Sequence, residues 1–370
     1  MSGQGAPEPL LLMTPGPTRV PDRVLRAGGR PMIHHRSPEF SAELATVLQL
    51  LAPLFGTRET VLPVHTTGRG ALEAAICNLC SPGDEIAVCC NGKFGEMWAG
   101  FAESYGVVVH RITTDWGRNV DPREVERALA EHPRVRAVAV AYSDTSTGVR
   151  NDVAGVARAG ASCGALVLVD AISALGGMPF AFDEWGIDFA ATASQKCLMS
   201  SPGLAFVVLS ERARHAYAAS RLPRNYWDFG AIRESVSKPV PETPGTAPVH
   251  LMLQVAEALR IIHEEGIAAV LARHEANAAI VRREAAALGL TPHMPGLTEL
   301  SPTVTALAAP PGIAPAAIRE RVKARGILTA AGLGRLKETG FRIGHMGDIR
   351  AADVERTMSA IGEAVRELRA

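Results

Sequence analysis

The chain has 370 residues, which is long enough for a large hydrophobic core and two domains. Its 38 Lys and Arg balance 38 Asp and Glu, and it has neither a long basic run nor an uninterrupted apolar stretch of membrane-spanning length. This composition excludes nucleic-acid binding and membrane insertion. Because Met1–Pro9 lacks the regions of a secretory signal, and the C-terminus is not a peroxisomal tripeptide, we expect a cytoplasmic protein.

Short apolar runs alternate with longer amphipathic stretches between about residues 60 and 210. Continuous apolar strands separated by helices are typical of a mostly parallel sheet with both faces covered. The predicted strands are Glu85–Cys90, Val107–Ile112, Val135–Ala141, Ala165–Val169 and Leu204–Leu209. The predicted helices are Ala71–Leu79, Gly95–Tyr105, Pro122–Glu131 and Asp152–Cys163.

A proline-rich break at Pro239–Pro248 precedes a helical pattern that runs from Leu251 to Ile262. The last segment repeats this spacing from Val354 to Leu368. Between them, Thr303–Ala308 and Phe341–Ile343 have the composition of strands. We therefore predict a smaller α/β domain in the C-terminal part of the chain.

Lys196 is one of only five lysines among the 38 basic residues, and its neighbours are small or uncharged. Lysine, unlike arginine, loses its proton readily on burial and can form a Schiff base with an aldehyde. An apolar run, Ala165–Val169, ends in Asp170. This pattern suits pyridoxal phosphate, whose aldehyde Lys196 would capture and whose pyridine nitrogen Asp170 would hold protonated. The simpler alternatives are a surface cation and a helix cap.

Two glycine-containing turns are further candidates. Thr66–Gly70 precedes a strong helix former, and free N–H groups at a helix N-terminus favour an anion such as phosphate. Phe94, within Asn91–Gly95, follows a predicted strand and could stack on a flat cofactor ring. Taken alone, the first turn is equally consistent with a capped turn, and Phe94 with an ordinary core residue.

Thr145 lies at another predicted strand end, where its hydroxyl could bond a ring oxygen or cap a helix. Arg342 is unusual because it lies inside an apolar strand. A guanidinium in that position needs an anionic partner, and a substrate carboxylate fits its two-pronged geometry. A buried Asp or Glu partner is the alternative.

These elements occur together with other short motifs in a defined order: Thr14–Thr18, His35–Phe40, Thr67–Ala74, Asn91–Gly95, Ser146–Gly148, Val169–Asp170, Ser194–Lys196, Pro202–Gly203, Thr243–Thr246 and Arg342–Gly344. In this order and spacing, the chain resembles the class V aminotransferases of fold type I. The resemblance is to the branch with alanine–glyoxylate, serine–glyoxylate and serine–pyruvate aminotransferases.

The resemblance implies an α/β fold with a mostly parallel seven-stranded sheet in the large domain. It predicts an N-terminal arm at residues 1–25, a large cofactor-binding domain at 26–258 and a small domain at 259–370. It also predicts a homodimer with a composite active site.

The resemblance also assigns roles. Lys196 and Asp170 would be the catalytic pair on pyridoxal phosphate, Phe94 would stack on the ring, and Thr145 would bond its hydroxyl. Arg342 would bind the substrate carboxylate, with Gly16 near the pocket mouth. The phosphate would be surrounded by Thr67, Gly68, Arg69 and Gln195, and by Thr243 and Thr246 of the second subunit. Arg69 and Asp144 depart from the commoner residues of the family.

We therefore predict transfer of an amino group from alanine or serine to glyoxylate or pyruvate. The alternatives within the family are ureidoglycine–glyoxylate and 2-aminoethylphosphonate–pyruvate transaminases. A lyase such as a cysteine desulfurase is less favoured, because no cysteine follows Cys197, which adjoins the reactive lysine. The pair Cys77 and Cys80 has no second pair nearby, so we predict no metal site.

Overall fold

The computed structural model describes residues 9–292 and 299–370. The first eight residues of the predicted arm therefore lie outside the described residues. The strands are β1 Leu11–Met13, β2 Leu62–Val64, β3 Glu85–Cys90, β4 Val108–Thr113, β5 Val135–Ala141, β6 Ser143–Asp144, β7 Val149–Arg150, β8 Leu166–Asp170, β9 Phe189–Ala193, β10 Ala205–Leu209, β11 Val304–Ala308, β12 Ile327–Ala331 and β13 Gly340–Gly344.

The helices are α1 Asp22–Gly28, α2 Pro38–Phe55, α3 Gly68–Leu79, α4 Lys93–Ser104, α5 Pro122–Glu131, α6 Val153–Ser162, α7 Phe182–Trp185, α8 Glu211–Ala219, α9 Phe229–Val236, α10 Val249–Glu265, α11 Ile267–Ala287, α12 Pro315–Ala324 and α13 Ala351–Arg369. A short 3₁₀ turn lies at Gly334–Leu336. The predicted strands and helices are all present, with ends that differ by a few residues. No helix within the described ranges has the length and apolar character needed to cross a membrane.

The large sheet has seven strands in the order β2-β10-β9-β8-β5-β3-β4. Strands β9, β8, β5, β3 and β4 are parallel to one another, whereas β10 runs antiparallel to both β9 and β2. This architecture confirms the predicted mostly parallel seven-stranded sheet. Its main hydrophobic cluster spans Phe40 to Val270.

The parallel strands end at one edge of this sheet, and the turns that follow them meet there. Asp170, the last residue of β8, is paired in register with Ala141 at the end of β5 and with Ala191 in β9. Ligands of open α/β sheets bind at this carboxyl edge. The sheet therefore brings together residues that are far apart in the sequence.

A second sheet, in the order β1-β12-β13-β11, forms beside the first. Its first strand comes from the N-terminal segment, because Leu11 to Met13 pair in parallel with Ile327 to Thr329. A separate hydrophobic cluster joins Met13 to residues between Val281 and Val365. The N-terminal segment is thus tied to the C-terminal sheet, while the predicted domain boundaries stay a prediction.

The first long helix, α2, begins where the sequence has Ser-Pro-Glu-Phe. The Ser37 hydroxyl accepts a hydrogen bond from the Phe40 amide, and Pro38 occupies the first helical turn. Both features are favoured at helix N-termini, because they leave fewer amides without acceptors. This motif, which contributes to the family resemblance, therefore has a local structural role.

Candidate active site

Lys196 lies in the turn between β9 and β10 and lines a cavity of about 390 Å³. The cavity brings together five of the predicted site residues from separate parts of the chain: Gly16, Phe94, Thr145, Lys196 and Arg342. The rest of its wall is formed by Leu12, Thr14, Pro15, Pro17, Leu328, Ala330 and Leu333. The cavity therefore lies between the carboxyl edge of the large sheet and the small sheet.

The N-terminal segment covers Lys196. The Lys196 Nζ donates a hydrogen bond to the Pro15 carbonyl oxygen, and the Thr18 hydroxyl donates one to the Lys196 carbonyl at 3.0 Å. Gly16 has φ +110°, and a Cβ built on it would lie 2.6 Å from Lys196 Nζ. Any larger residue at position 16 would therefore be strained and would displace the lysine.

The electrostatic environment moves Lys196 and Asp170 towards neutrality. Burial lowers the pKa of Lys196 to about 8; the nearby Arg342 charge adds to this effect, and Asp170 opposes it. Burial raises the pKa of Asp170 to about 7, and the charge of Asp144 adds to that shift. An amine with a lowered pKa is a better nucleophile and base at neutral pH.

Asp170 has only 5% of its surface exposed, and its carboxylate accepts a hydrogen bond of 2.8 Å from the Ile172 amide. Among the described residues, no cation forms an ion pair with this carboxylate. A buried carboxylate is costly without a cationic or donor partner. The site therefore has the chemistry to accept a protonated ring nitrogen at Asp170.

Asp144, where the chain departs from the commoner residue of the family, binds two turns of the site, those of Phe94 and Ser146. Its fully buried carboxylate accepts hydrogen bonds from the Phe94 amide at 3.0 Å, from the Ser146 amide at 2.9 Å and from the Ser146 hydroxyl. A Cβ at Gly92 would lie 2.2 Å from the Asp144 carboxyl carbon. The predicted ring-stacking residue Phe94 is thus fixed through its backbone, and it is absent from the hydrophobic core clusters.

Arg342 extends from β13 towards the large sheet. Its Nε donates to the Ala331 carbonyl at 2.8 Å and its Nη1 to the Thr145 carbonyl at 3.1 Å. Burial lowers the pKa of Arg342 to about 10. No carboxylate in the described part of the chain forms an ion pair with it, so the buried Asp or Glu partner considered above is not found there.

The turn before α3 provides the candidate phosphate site. Thr67 is the N-cap of α3, yet its side chain makes no capping bond. The amides of the first turn, at Gly68 and Arg69, have no acceptor within the helix and suit an anion. The Arg69 guanidinium lies over the Phe101 ring at 5.3 Å, and the buried Gln195 side-chain oxygen has no hydrogen-bond partner.

Thr243 and Thr246 do not line the Lys196 cavity of the same chain. The buried Thr243 hydroxyl donates to the Gly245 carbonyl at 2.7 Å. Thr246 is exposed and lines a second cavity of about 240 Å³, together with His65 and Tyr226. Their predicted role in the site of a second subunit stays a prediction.

Sequence motifs did not indicate two residues of the site. Thr18 binds the lysine turn twice, through its hydroxyl to Lys196 and through its amide to the Gln195 carbonyl at 3.2 Å. Ser173 lies 2.6 Å from Thr145, hydroxyl to hydroxyl. A Ser or Thr gives no sequence signal of such contacts, although Ser173 follows Asp170 by only three residues.

A lysine and a buried acid at the carboxyl edge of a doubly wound sheet define a fold type I pyridoxal-phosphate enzyme, and the solved structures support this class. An alanine–glyoxylate aminotransferase from Nostoc superposes with a TM-score of 0.93 at 31% identity, covering 99% of this chain and 98% of that one. A ureidoglycine–glyoxylate aminotransferase from Bacillus subtilis also has a TM-score of 0.93, at 28% identity, covering 100% and 96%.

The chain belongs to the class-V aminotransferase family, whose model matches residues 11–350. A Paracoccus denitrificans relative, an L-aspartate–glyoxylate aminotransferase, is 34% identical over 92% of this chain and 87% of its own length. A serine–glyoxylate aminotransferase from Methylorubrum extorquens is 33% identical over 91% and 86%. A Synechococcus relative, 39% identical over 97% and 93%, is named a soluble hydrogenase small subunit.

The Asp170→Asn variant tests the buried carboxyl. Burial raises the pKa of Asp170 from 3.8 to about 7, so the wild type loses stability as pH rises between these values, because only the unfolded chain ionises there. Asparagine does not ionise, so the variant lacks this loss. Without cofactor, we expect the variant and the wild type to have equal free energies of unfolding near pH 4. Above pH 7 the variant should be more stable than the wild type by on the order of 3 kcal/mol. Urea unfolding across this range measures it.

Asp115→Asn is the matched control for the chemical change, because the Asp115 side chain is 82% exposed whereas Asp170 is buried. A stability difference for Asp170→Asn that stays constant from pH 4 to pH 8 would contradict the raised pKa.

Proposed function

We propose that this protein is a pyridoxal-phosphate-dependent aminotransferase that moves an amino group from alanine or serine to glyoxylate or pyruvate. The observation that carries the proposal is the presence of Lys196 and Arg342 in one cavity. A small amino acid or 2-oxo acid requires a reactive amine and a guanidinium that is not already in an ion pair, and Arg342 forms none within the described residues.

Several features of the chain fit the cofactor. Among the described residues, Asp170 is a buried carboxyl that forms no ion pair, and the buried Gln195 amide oxygen has no hydrogen-bond partner. Lys196 has a lowered pKa. When bound, pyridoxal phosphate would supply an aldehyde for the amine and an electron sink for the substrate carbon. The residues that would hold it are those predicted above: Thr67, Gly68, Arg69, Phe94, Thr145, Asp170, Gln195 and Lys196.

The roles of the chain's own residues follow from their surroundings. Because its pKa is about 8, Lys196 Nζ is partly neutral at physiological pH and can take a proton from the substrate Cα and return it. Gly16 leaves the lysine room, and Arg342 would anchor the carboxylate through the part of its fork that the Ala331 and Thr145 carbonyls leave free.

Thr243 and Thr246 support a homodimer as part of the proposal. They do not line the Lys196 cavity of their own chain, and Thr246 faces outward. In the proposed dimer they complete the phosphate site of the second subunit. The free, largely buried cysteines agree with the cytoplasmic location that we propose.

A desulfurase is less consistent with the site. Cys197 is buried, and burial raises the pKa of its thiol to about 12, so it is not a thiolate at neutral pH. The alternative activities within the family remain those of ureidoglycine–glyoxylate and 2-aminoethylphosphonate–pyruvate transaminases. A panel of amino donors tested with glyoxylate and with pyruvate distinguishes these reactions.

The Lys196→Ala variant should lose transamination by at least about a hundredfold, together with the visible absorbance of lysine-bound pyridoxal phosphate. Lys196→Arg should fail equally, because a guanidinium does not react with the aldehyde. Lys323→Ala, which removes an exposed lysine of α12, is the control. A borohydride-reducible adduct that persists in Lys196→Ala would show that another lysine binds the cofactor.

Subunit mixing tests the composite site. Thr243→Ala or Thr246→Ala should weaken cofactor retention, and mixing with chains that carry Thr67→Ala should restore one complete phosphate site per mixed dimer. Retention is measured by absorbance after gel filtration. Mixed dimers no better than either parent would mean that both groups act within one chain.

The Arg342→Lys variant tests the substrate class. A point charge does not replace the two-bond fork, so KM should rise for both the amino donor and the 2-oxo acid. The expected loss is roughly 2–5 kcal/mol of apparent binding. Steady-state kinetics measure it, with Arg356→Lys on the exposed face of α13 as control.

A structural role of Arg342 would give a different result. The variant would then lose thermal stability, while the folded enzyme kept its normal KM for both substrates. That pattern would remove the main carboxylate contact and favour amines or phosphonates as donors.

A further inference from the structure

Two buried hydroxyl groups meet beside the Lys196 cavity. Thr145 and Ser173 have 2% and 4% of their surfaces exposed, and their hydroxyl oxygens are 2.6 Å apart. Thr145 lines the cavity, whereas Ser173 lies behind it in the turn that follows Asp170. The pair therefore connects the cavity wall to the protein interior.

The protons of these two hydroxyls can be assigned from their partners. Each hydroxyl carries one proton, and a buried donor without an acceptor is costly. Among the described residues, the Ser173 hydroxyl has the Thr145 hydroxyl as its single hydrogen-bond partner. If Thr145 donated to Ser173, the Ser173 proton would have no acceptor.

In the opposite arrangement the Ser173 hydroxyl has an acceptor, and the proton without a partner among the described residues belongs to Thr145, which lines the cavity. Ser173 donates to Thr145, and the Thr145 proton is then directed into the cavity. The backbone of Ser173 is held in place for this contact, because its carbonyl accepts a hydrogen bond of 2.7 Å from the Thr303 hydroxyl.

We infer that Ser173 is a positioning residue that makes Thr145 a hydrogen-bond donor, not an acceptor, towards the ligand in the cavity. The inference rests on the proposed function, in which the ring oxygen of pyridoxal phosphate is the group that Thr145 meets. A fixed donor stabilises that oxygen as an anion. That oxygen then holds the proton on the Lys196 nitrogen less strongly. The nitrogen therefore loses this proton at a lower pH.

The ionisable groups of the adjoining site are Asp144, Asp170, Lys196 and Arg342, which interact with one another electrostatically. Ser173 forms no hydrogen bond with the side chains of these four residues among the described contacts. A change at Ser173 therefore removes no hydrogen bond from these four charged side chains. Its effect on the cofactor passes through Thr145.

The test is a pH titration of the visible absorbance of the protein loaded with pyridoxal phosphate. Ser173→Ala should raise the midpoint of the spectral transition by about half a unit to one unit, because Thr145 is no longer held as a donor. Ser173→Cys should raise it less, since a thiol is a weak donor of similar size. The midpoint of thermal unfolding is measured for each variant. If Ser173→Ala does not fold, the spectral midpoint of Ser173→Cys tests the role of Ser173 in its place.

Ser143→Ala is the matched control. Ser143 is also 4% exposed and belongs to the same buried hydroxyl network, but it donates to the Ser301 hydroxyl at 2.8 Å, not to Thr145. Its substitution should leave the spectral midpoint unchanged. An equal shift in Ser143→Ala would mean that general loosening of the network, not the direction of Thr145, causes the effect.

A double-mutant cycle completes the test. In a Thr145→Val background, Ser173→Ala should cause no further shift, because the donor it controls is gone. The same shift in that background, or an unchanged midpoint in Ser173→Ala alone, would overturn the role of Ser173. Wild-type protein that takes up no pyridoxal phosphate would overturn the proposed function and this inference together.

Discussion

The burial of an amine and a carboxyl at one edge of a parallel sheet is the constraint on which the site depends. Desolvation lowers the pKa of Lys196 to about 8 and raises that of Asp170 to about 7. Neither group would be perturbed in this way on the surface. The apolar strands β5, β8 and β9 are thus the physical cause of the reactivity, since they bury the carboxyl edge.

The N-terminal segment links the two sheets to the lysine. Its strand β1 adds to the small sheet beside β12, while Thr18 and Pro15 bind the turn that carries Lys196. Arg342 lies on β13 of the same small sheet. The small sheet therefore carries Arg342 on one strand and, through β1, the segment that covers the lysine.

The polar interior beside the cavity is satisfied by a few side chains. Asp144 accepts bonds from the turns of Phe94 and Ser146, and Asn151 bonds both the Asn91 side chain and the Ala141 carbonyl. Each of these groups would be costly if left unpaired. They hold the ends of β3 and β5 in register with the reactive residues, which explains why this region of the chain is rich in short polar motifs.

The sequence by itself determined the alternation of strands and helices and the family, because apolar periodicity and ordered motifs are local signals, and it singled out Lys196 and Asp170 as the candidate catalytic pair. It did not indicate β1, β2, β9 or β12. The three-residue strands β1 and β2 exist only through their pairing partners, and the alanine-rich β9 is stabilised by two neighbours. Tertiary structure alone decided that Gly16 lies against Lys196, that Asp144 orients Phe94, and that Ser173 meets Thr145. These contacts join segments far apart in the chain, and small or polar residues give no sign in sequence of the partner that packing will bring to them.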